Sequence, residues 1–148
     1  MATLFTQIIA GQIPGRFVWA DDVAVAFGTI APITDGHVLV VPRDEIVQLT
    51  EAPDDVLAHL VLVAKAIGQA QQHAWSAPRA ALLVAGFEVD HLHLHVLPAW
   101  GEEELSFRNA RTGVPAADLD ASATRVRDAL VALGHGDHVP ATLTSPEL

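Results

Sequence analysis

The sequence predicts an α+β fold, in which an antiparallel sheet of about five strands carries a long helix on one face. Short apolar runs bounded by turn residues are typical of strands, and several of them follow one another along the chain. Apolar residues recur at helical spacing over residues 53–75 and again over residues 115–133. Residues 91–96 alternate strictly between histidine and an apolar residue, which is the period of a strand with two unlike faces.

The composition indicates one ordinary globular domain and excludes several classes of partner. The chain has 148 residues, of which 51% are hydrophobic and 18% are charged, so it can build a real core. Its formal charge of −10 makes duplex nucleic acid and anionic membranes poor partners. It contains no cysteine, so neither a disulfide framework nor a thiolate metal site is expected. The sequence has no signal-peptide pattern and no long apolar span, and we expect a cytoplasmic protein.

The first elements are short and are separated by turn residues. We expect a helix over residues 4–10, followed by strands over residues 17–19, 23–27 and 38–41. Gly11 and Pro14 close the helix, and Asp21 and Asp22 form the turn between the first two strands. The third strand is apolar without alternation, as is typical of a central strand buried on both faces, and His37 directly precedes it.

The long helix is expected over residues 53–75. Pro53 suits a first helical turn, and Asp54 and Asp55 complement the helix dipole there. The apolar stripe along this helix is wider than one core needs, so part of it is available to a second subunit.

The remaining elements follow the long helix. A strand is expected over residues 80–85, beside the histidine-rich strand, which should end near Pro98 because proline cannot donate to a ladder. A last helix is expected over residues 115–133, with Gly134 just past its end. From His135 onward we expect a frayed tail without a functional site.

Three histidines, His91, His93 and His95, lie on one face of the alternating stretch. In an ideal strand they are about 6.6 Å apart. Such a row could be the solvated face of a half-buried strand, although lysine, threonine or glutamate usually fill that role. It could instead hold a catalytic zinc with an open fourth position, or support phosphoryl chemistry with one imidazole as the nucleophile. The spacing alone leaves the metal site and the nucleophile equally open.

The stretch His-Leu-His-Leu-His-Val-Leu resembles the signature of the histidine triad (HIT) superfamily, in which histidines alternate with apolar residues. Other blocks resemble the Hint branch of that superfamily, which includes nucleoside phosphoramidases; they are residues 5–14, 19–22, 26–27 and 32–42. Several blocks in the same order are far more specific than one short motif. The resemblance covers roughly residues 4–98. It implies a HIT-like domain over residues 1–112, with residues 113–148 as a C-terminal helical extension and tail packed on the same domain.

The resemblance also implies which residues form the site. His93 would be the nucleophile, with the proton on Nδ1 held by a backbone carbonyl, and His95 would bind phosphate and assist the leaving group. His91 and His37 would complete the hydrogen-bond chain that sets protonation. Backbone amides of residues 86–90 would stabilise the transition state. The nucleotide-binding residues implied are Phe5, Ile8, Phe27, Thr29, Leu39, Gly86, Glu88 and Val89.

The chain departs from the Hint pattern at three places in that site. Thr29 replaces a ribose-binding Asp, Ala85 replaces an Asn, and Phe87-Glu88 replaces a Gln-Ser pair. A carboxylate aimed at a phosphate would repel it. We therefore expect Glu88 to turn away and pair with a cation or a turn amide, which its even numbering alongside Leu92 favours. In the alternative arrangement, Glu88 points into the site and meets a positively charged part of the substrate.

The resemblance implies a nucleotide hydrolase that acts at the α-phosphate of a conjugate such as an AMP phosphoramidate, through a nucleotidyl-histidine intermediate. The alternatives are a dinucleoside polyphosphate hydrolase, a nucleotide-binding module with little turnover, and a zinc-dependent hydrolase. Some related bacterial proteins bind zinc with a Cys pair where this chain has Phe-Thr-Gln at residues 5–7, so no metal or other cofactor is expected. The family forms dimers through the long helix and the strand before the triad, which implies a homodimer here.

Overall fold

The computed structural model describes residues 2–148 as one sheet with helices on both of its faces. The strands are β1 (Phe17–Ala20), β2 (Ala24–Gly28), β3 (Val38–Pro42), β4 (Arg79–Val84) and β5 (Leu94–Ala99). The helices are α1 (Leu4–Ile9), α2 (Asp54–Trp75) and α3 (Ala116–Ala132). Every predicted element is present, and only the histidine-rich strand begins well away from its predicted position.

The five strands form one antiparallel sheet in the order β1-β2-β3-β5-β4. The predicted α+β class is therefore confirmed, with β3 and β5 inside the sheet and β1 and β4 at its edges. Within residues 2–148, no helix combines the length and apolar character that a bilayer crossing requires.

Alternation along the central strand β3 divides the core into two clusters. Val38 and Val40 pack with residues of α2 and α3, whereas Leu39 and Val41 pack with residues of α1. All of β3 is buried, as its unbroken apolar run predicted. Because Leu39 pairs with His95 of β5, the imidazole of His95 lies on the α1 face of the sheet, away from α2.

Helices α2 and α3 pack side by side on the opposite face. The buried stripe of α2 includes Leu60 and Ile67, and that of α3 includes Val126 and Leu130. The guanidinium of Arg125 in α3 lies 4.5 Å from the ring centroid of Trp75, the last residue of α2. This layer covers one face of the sheet, and the imidazole of His95 lies on the other face.

The histidine-rich strand begins later than its alternation predicted. Strand β5 starts at Leu94, so His91 and His93 precede it and only His95 lies within it. The neighbouring strands explain the late start, because β4 ends at Val84, which pairs with Leu94. The amide of Leu92 instead donates to the carbonyl of Ile46, in the segment after β3, over 2.6 Å. The strand ends at Ala99, close to the expected position.

The expectation of a frayed tail is wrong. The amide of Phe17 donates to the carbonyl of Leu143 over 2.7 Å, and the guanidinium of Arg127 donates to the carbonyls of Pro140 and Thr142. The ring of His138 stacks on the Trp19 indole, with 4.5 Å between the centroids. These contacts could not be predicted from sequence periodicity, because each joins one residue to a group that is distant in the sequence.

Candidate active site

His93 has the protonation geometry of a nucleophile. Its Nδ1 lies 2.7 Å from the backbone carbonyl oxygen of His91. A carbonyl can only accept, so Nδ1 carries the proton and Nε2 of the neutral ring keeps its lone pair. The ring is 7% exposed and packs edge-on against Phe5, with 4.9 Å between the centroids. The expected hydrogen bond to a backbone carbonyl is therefore present.

His37 and His95 form a hydrogen-bond chain with a defined direction. The amide of Ile33 donates to Nδ1 of His37 over 3.0 Å, so the proton of that neutral ring is on Nε2. His37 Nε2 in turn donates to His95 Nδ1 over 2.9 Å. His95 therefore carries its own proton on Nε2, the nitrogen left free for a substrate. Its ring lies beside that of His93, with 4.9 Å between the centroids.

His91 is fully buried and holds both ring nitrogens in hydrogen bonds. Its Nε2 donates to the carbonyl oxygen of Pro42 over 2.8 Å, and its Nδ1 lies 2.7 Å from the hydroxyl oxygen of Thr3. The side chain is therefore structural, whereas its backbone carbonyl positions His93. The structure brings His37, His91, His93 and His95 together, as the sequence predicted.

Burial keeps the imidazoles next to the cavity neutral at neutral pH. Burial, reinforced by the nearby His95, lowers the pKa of His37 to about 3. Burial, reinforced by His93, lowers the pKa of His95 to about 4. Burial also lowers the pKa of His93, although its hydrogen bond to His91 and the charge of Glu88 oppose the shift. A neutral His93 is the form that can attack phosphorus.

We expect the folded protein to lose stability as the pH falls from 7 to 5. An unfolded histidine takes up a proton near pH 6.5, whereas the folded His37 and His95 remain neutral until about pH 3 and 4. From pH 7 to pH 5 each such imidazole costs about 2 kcal/mol in total, and the slope approaches about 1.4 kcal/mol per pH unit only below pH 6. Urea unfolding of His37→Asn should show a shallower pH dependence, while the exposed His73→Asn serves as the matched control. If the free energy of unfolding changes with pH equally in the wild type, His37→Asn and His73→Asn, the assignment of a lowered pKa to His37 is wrong.

A cavity of about 450 Å³ opens beside the imidazoles. It is lined by Thr29, Ala31, His37, Ala85, Gly86, Phe87, Glu88, His93, His95, Phe107, Ala110 and Thr112. The lining contains no lysine or arginine, and Glu88 is its one carboxylate. The amides of Phe87, Glu88 and Val89 donate no hydrogen bond within residues 2–148, so they are available to a ligand.

The sequence of the chain is similar to that of known proteins. A family model described as the HIT domain matches residues 10–101. The chain belongs to the HIT family. An uncharacterized HIT-like protein of Mycobacterium tuberculosis is 33% identical over 135 residues, which cover 88% of this chain and 94% of that protein.

Solved structures of HIT proteins share the fold. A zinc-bound histidine triad family protein from Mycobacterium smegmatis has a TM-score of 0.78 and 27% identity, and the match covers 92% of this chain and 98% of that one. A hypothetical histidine triad nucleotide-binding protein from Sulfolobus tokodaii has a TM-score of 0.77 and 28% identity, and covers 87% and 92%. The first match leaves 8% of the 148 residues uncovered, about 12, so it includes at least part of the 17-residue α3, which lies beyond the residues that the family model matches.

The residues predicted to bind the nucleotide fall into two groups. Thr29, Gly86 and Glu88 line the cavity. A second group belongs to the apolar cluster on the α1 face: Phe5, Ile8, Phe27 and Leu39 are buried in it, and Val89 packs against it. Of this cluster, Phe5 contacts His93 directly. A nucleoside role for the second group stays a prediction, because in this structure the cluster is closed around its own side chains.

Glu88 does not turn away as expected. It is exposed and lines the cavity, and it has no hydrogen bond or ion pair with any group of residues 2–148. Residues 85–93 lie outside any strand, so alternation with Leu92 does not set the direction of the Glu88 side chain. Gly86, at φ +87°, makes the bend that takes the chain out of β4.

Two aromatic residues lie at the cavity; Phe107 was missed, and Phe87 was noted only as a replacement of a Hint residue. Phe107 packs edge-on against His95, with 4.8 Å between the centroids, and Phe87 is 96% exposed at the rim. Both are single aromatic residues in polar loops, a weak signal that could have singled them out.

The residues of this chain do not fit the zinc that the Mycobacterium smegmatis protein binds. The chain has no cysteine, and residues 2–148 contain no group of three or more histidine, aspartate or glutamate side chains arranged to hold a metal ion. Of the four clustered histidines, His91 and His37 use both ring nitrogens in hydrogen bonds, which leaves only Nε2 of His93 and Nε2 of His95 without a partner in residues 2–148. We therefore derive no catalytic step through a metal.

Proposed function

We propose that the protein hydrolyses a nucleotide conjugate at its α-phosphate, as in an AMP phosphoramidate, through a nucleotidyl-histidine intermediate on His93. The observation that carries this assignment is the hydrogen bond from His93 Nδ1 to the His91 carbonyl, which leaves Nε2 unprotonated beside the cavity. A solvated row of histidines would need no such fixed tautomer. The nucleotide-binding description of the Sulfolobus tokodaii protein supports the choice of ligand.

The reaction would proceed in two displacements. The lone pair on His93 Nε2 forms a bond to phosphorus, and the phosphorus–nitrogen bond breaks with its electrons leaving on nitrogen. His95 Nε2–H hydrogen-bonds the leaving atom or a phosphate oxygen. A water then cleaves the histidine–phosphorus bond, so that overall its hydroxyl goes to phosphorus and its proton to the leaving amine. The free amides of residues 87–89 would stabilise the charge on the phosphate oxygens.

A nucleotide-binding module with little turnover is the second candidate, and the cavity lining favours it in one respect. The side chains that handle phosphate in Hint proteins are replaced by Ala85, Phe87 and Glu88. Glu88 places a negative charge near the expected phosphate position. A dinucleoside polyphosphate, which carries more negative charge than a phosphoramidate, would be repelled more strongly and is the less favoured substrate.

The test is turnover of tryptamine AMP phosphoramidate by the purified protein, with diadenosine tetraphosphate in parallel. We expect release of AMP and amine from the phosphoramidate, in excess EDTA as well as without it. Rapid quenching followed by mass spectrometry should detect one nucleotidyl group on the peptide that contains His93. Binding without turnover would favour the module, and loss of activity in EDTA that zinc restores would favour the metalloenzyme.

We expect Glu88 to select substrates with a positively charged leaving group. It lines the cavity without a partner, and a cation near a partly exposed carboxylate gains about 1 kcal/mol, roughly a fivefold preference. Glu88→Gln should lower kcat/KM for a cationic amine and leave or raise it for a neutral one, at unchanged melting temperature. Asp90→Asn, also exposed in the same loop, is the control. If the ratio of kcat/KM for the cationic amine to kcat/KM for the neutral amine is the same in the wild type and in Glu88→Gln, Glu88 is not a specificity residue.

We propose a homodimer formed through α2 and the edge strand β4. Exposed apolar side chains lie on both elements, namely Val61, Leu62, Leu82 and Val84. β4 is also an edge strand, with backbone groups free to pair with a second chain. Light scattering at micromolar concentration should give a dimer mass, and Leu62→Glu should give the monomer mass, whereas Val131→Glu on α3 should not change it. A monomeric wild type would end the proposal.

A further inference from the structure

A cluster of interlocked hydrogen bonds joins the start of α1 to the first histidine of the triad. The Thr3 hydroxyl oxygen lies 2.7 Å from His91 Nδ1 and accepts the amide of Thr6 over 3.1 Å. The carboxylate of Glu45 accepts both the amide of Thr3, over 2.9 Å, and the hydroxyl of Thr6, over 2.7 Å. The catalytic steps proposed above use none of these three side chains.

The direction of the hydrogen bond between Thr3 and His91 follows from the other hydrogen bonds of these two side chains. His91 Nε2 must donate to the carbonyl of Pro42, so Nδ1 of the neutral ring has only a lone pair. The Thr3 hydroxyl therefore donates its proton to Nδ1. Its oxygen at the same time caps α1 by accepting the Thr6 amide. One hydroxyl thus caps the helix start and holds the ring of a fully buried imidazole, whose tautomer is set by the Pro42 carbonyl.

A single residue, His91, connects this cluster to the proposed nucleophile His93. The carbonyl that holds His93 Nδ1 belongs to His91, whose ring is tied to Thr3 on one side and Pro42 on the other. Phe5, two residues after Thr3, contacts the rings of both His91 and His93, at 5.6 Å and 4.9 Å between centroids. Thr3 and Phe5 therefore hold the His91 ring when α1 docks. The His93 ring is held by its contact with Phe5 and by its hydrogen bond to the His91 carbonyl.

We propose that Thr3 is a positioning residue for the nucleophile, acting through His91, and that Glu45 and Thr6 hold Thr3 in place. Thr3 never touches the substrate. Its hydroxyl holds the His91 ring, and with it the residue, in the orientation that presents the His91 carbonyl to His93 Nδ1, which keeps the lone pair of His93 on Nε2. Because this role presupposes the proposed nucleophile, its test needs a measurement that requires no substrate.

The experiment compares three replacements of Thr3. Thr3→Ser keeps the hydroxyl and should retain most of kcat. Thr3→Val keeps the shape but lacks the donor, and kcat should fall about 10-fold to 100-fold with KM changed less than about threefold, by analogy with the loss of partners that orient metal-bound histidines. Thr124→Val on the exposed face of α3 is the matched control and should behave as wild type.

The measurement without substrate is nitrogen NMR of the histidine rings. In the wild type, His91 should be protonated on Nε2 and His93 on Nδ1 at neutral pH. Thr3→Val should give His93 a mixture of tautomers. Thr3→Asp, which still caps the helix but can only accept, should instead give a His91 ring protonated on both nitrogens.

These results separate the positioning role from the proposed function. If no phosphoramidate is turned over but the tautomers change as stated, the positioning role stands and the reaction assignment fails. If turnover is present and Thr3→Val keeps both the wild-type kcat and the wild-type tautomers, the positioning role is wrong. Should Thr3→Val fail to fold, Thr3→Asp decides alone, and a His91 ring still protonated only on Nε2 would overturn the inference.

Discussion

His93→Ala should abolish turnover while nucleotide binding persists. The side chain supplies the atom that bonds to phosphorus, so its loss removes transition-state stabilisation that the bound substrate does not use. We expect kcat to fall by about 10⁴-fold or more, as for other enzymes that lose a nucleophile. The Kd for AMP, measured by calorimetry, should change only a few-fold, because the amides of residues 87–89 and the rest of the cavity remain.

The control for this variant is His73→Ala, which removes an exposed imidazole from α2. It should match the wild type in kcat and in AMP binding. If His93→Ala keeps a kcat close to that of the wild type, the nucleophile assignment is wrong. His95 would then be the remaining triad imidazole at the cavity, with its lone pair on Nδ1 already used by His37.

Gly36→Ala should be among the most destabilising single substitutions in the chain. Gly36 has φ +84°, and a Cβ built on it would lie 2.5 Å from the ring of Trp75 at the end of α2. The left-handed backbone costs about 1 kcal/mol for alanine, and overpacking adds about 1–3 kcal/mol. We expect the free energy of unfolding, measured in urea, to fall by about 2–4 kcal/mol.

Gly113→Ala separates the two causes, since Gly113 has φ +70° and nothing lies within 4 Å of its added Cβ. It should lose only the backbone cost, about 1 kcal/mol. If Gly36→Ala and Gly113→Ala lower the free energy of unfolding by the same amount, the contact with Trp75 does not contribute to the destabilisation. Because His37 follows Gly36 directly, Gly36→Ala should also reduce kcat per folded molecule.

The alternation of residues 91–96 correctly predicted that the apolar side chains of this stretch and its histidines lie on opposite faces. Leu92, Leu94 and Val96 are buried against α2 and α3, and His95 lies on the other face. This holds even though the regular strand begins only at Leu94, because burial of every second side chain needs no hydrogen-bonded ladder. The ring contacts that join His37 to His95 could not be derived from spacing, since 58 residues separate them; the resemblance supplied them.

Sequence reasoning failed where the backbone follows no period. Glu88 was assigned a direction from parity, which applies only inside a strand. Phe107 reaches His95 from a loop whose polar composition predicted no contact with the site. Thr3 was overlooked because a threonine near a terminus has many ordinary roles, and only the fold brings it to His91.

The partners of the imidazoles have a consequence for how this family can change. His91, His93 and His37 are oriented by the carbonyls of Pro42 and His91 and by the amide of Ile33, and these are main-chain groups. Replacing a side chain leaves a main-chain carbonyl in place, and only proline would delete the Ile33 amide. The groups that set the tautomers are thus supplied by the fold itself, and a side chain such as Thr3 acts by holding that main chain in position. Replacing a neighbouring side chain such as Thr29, Ala85 or Glu88 therefore changes the cavity lining and leaves the main-chain partners of the imidazoles in place.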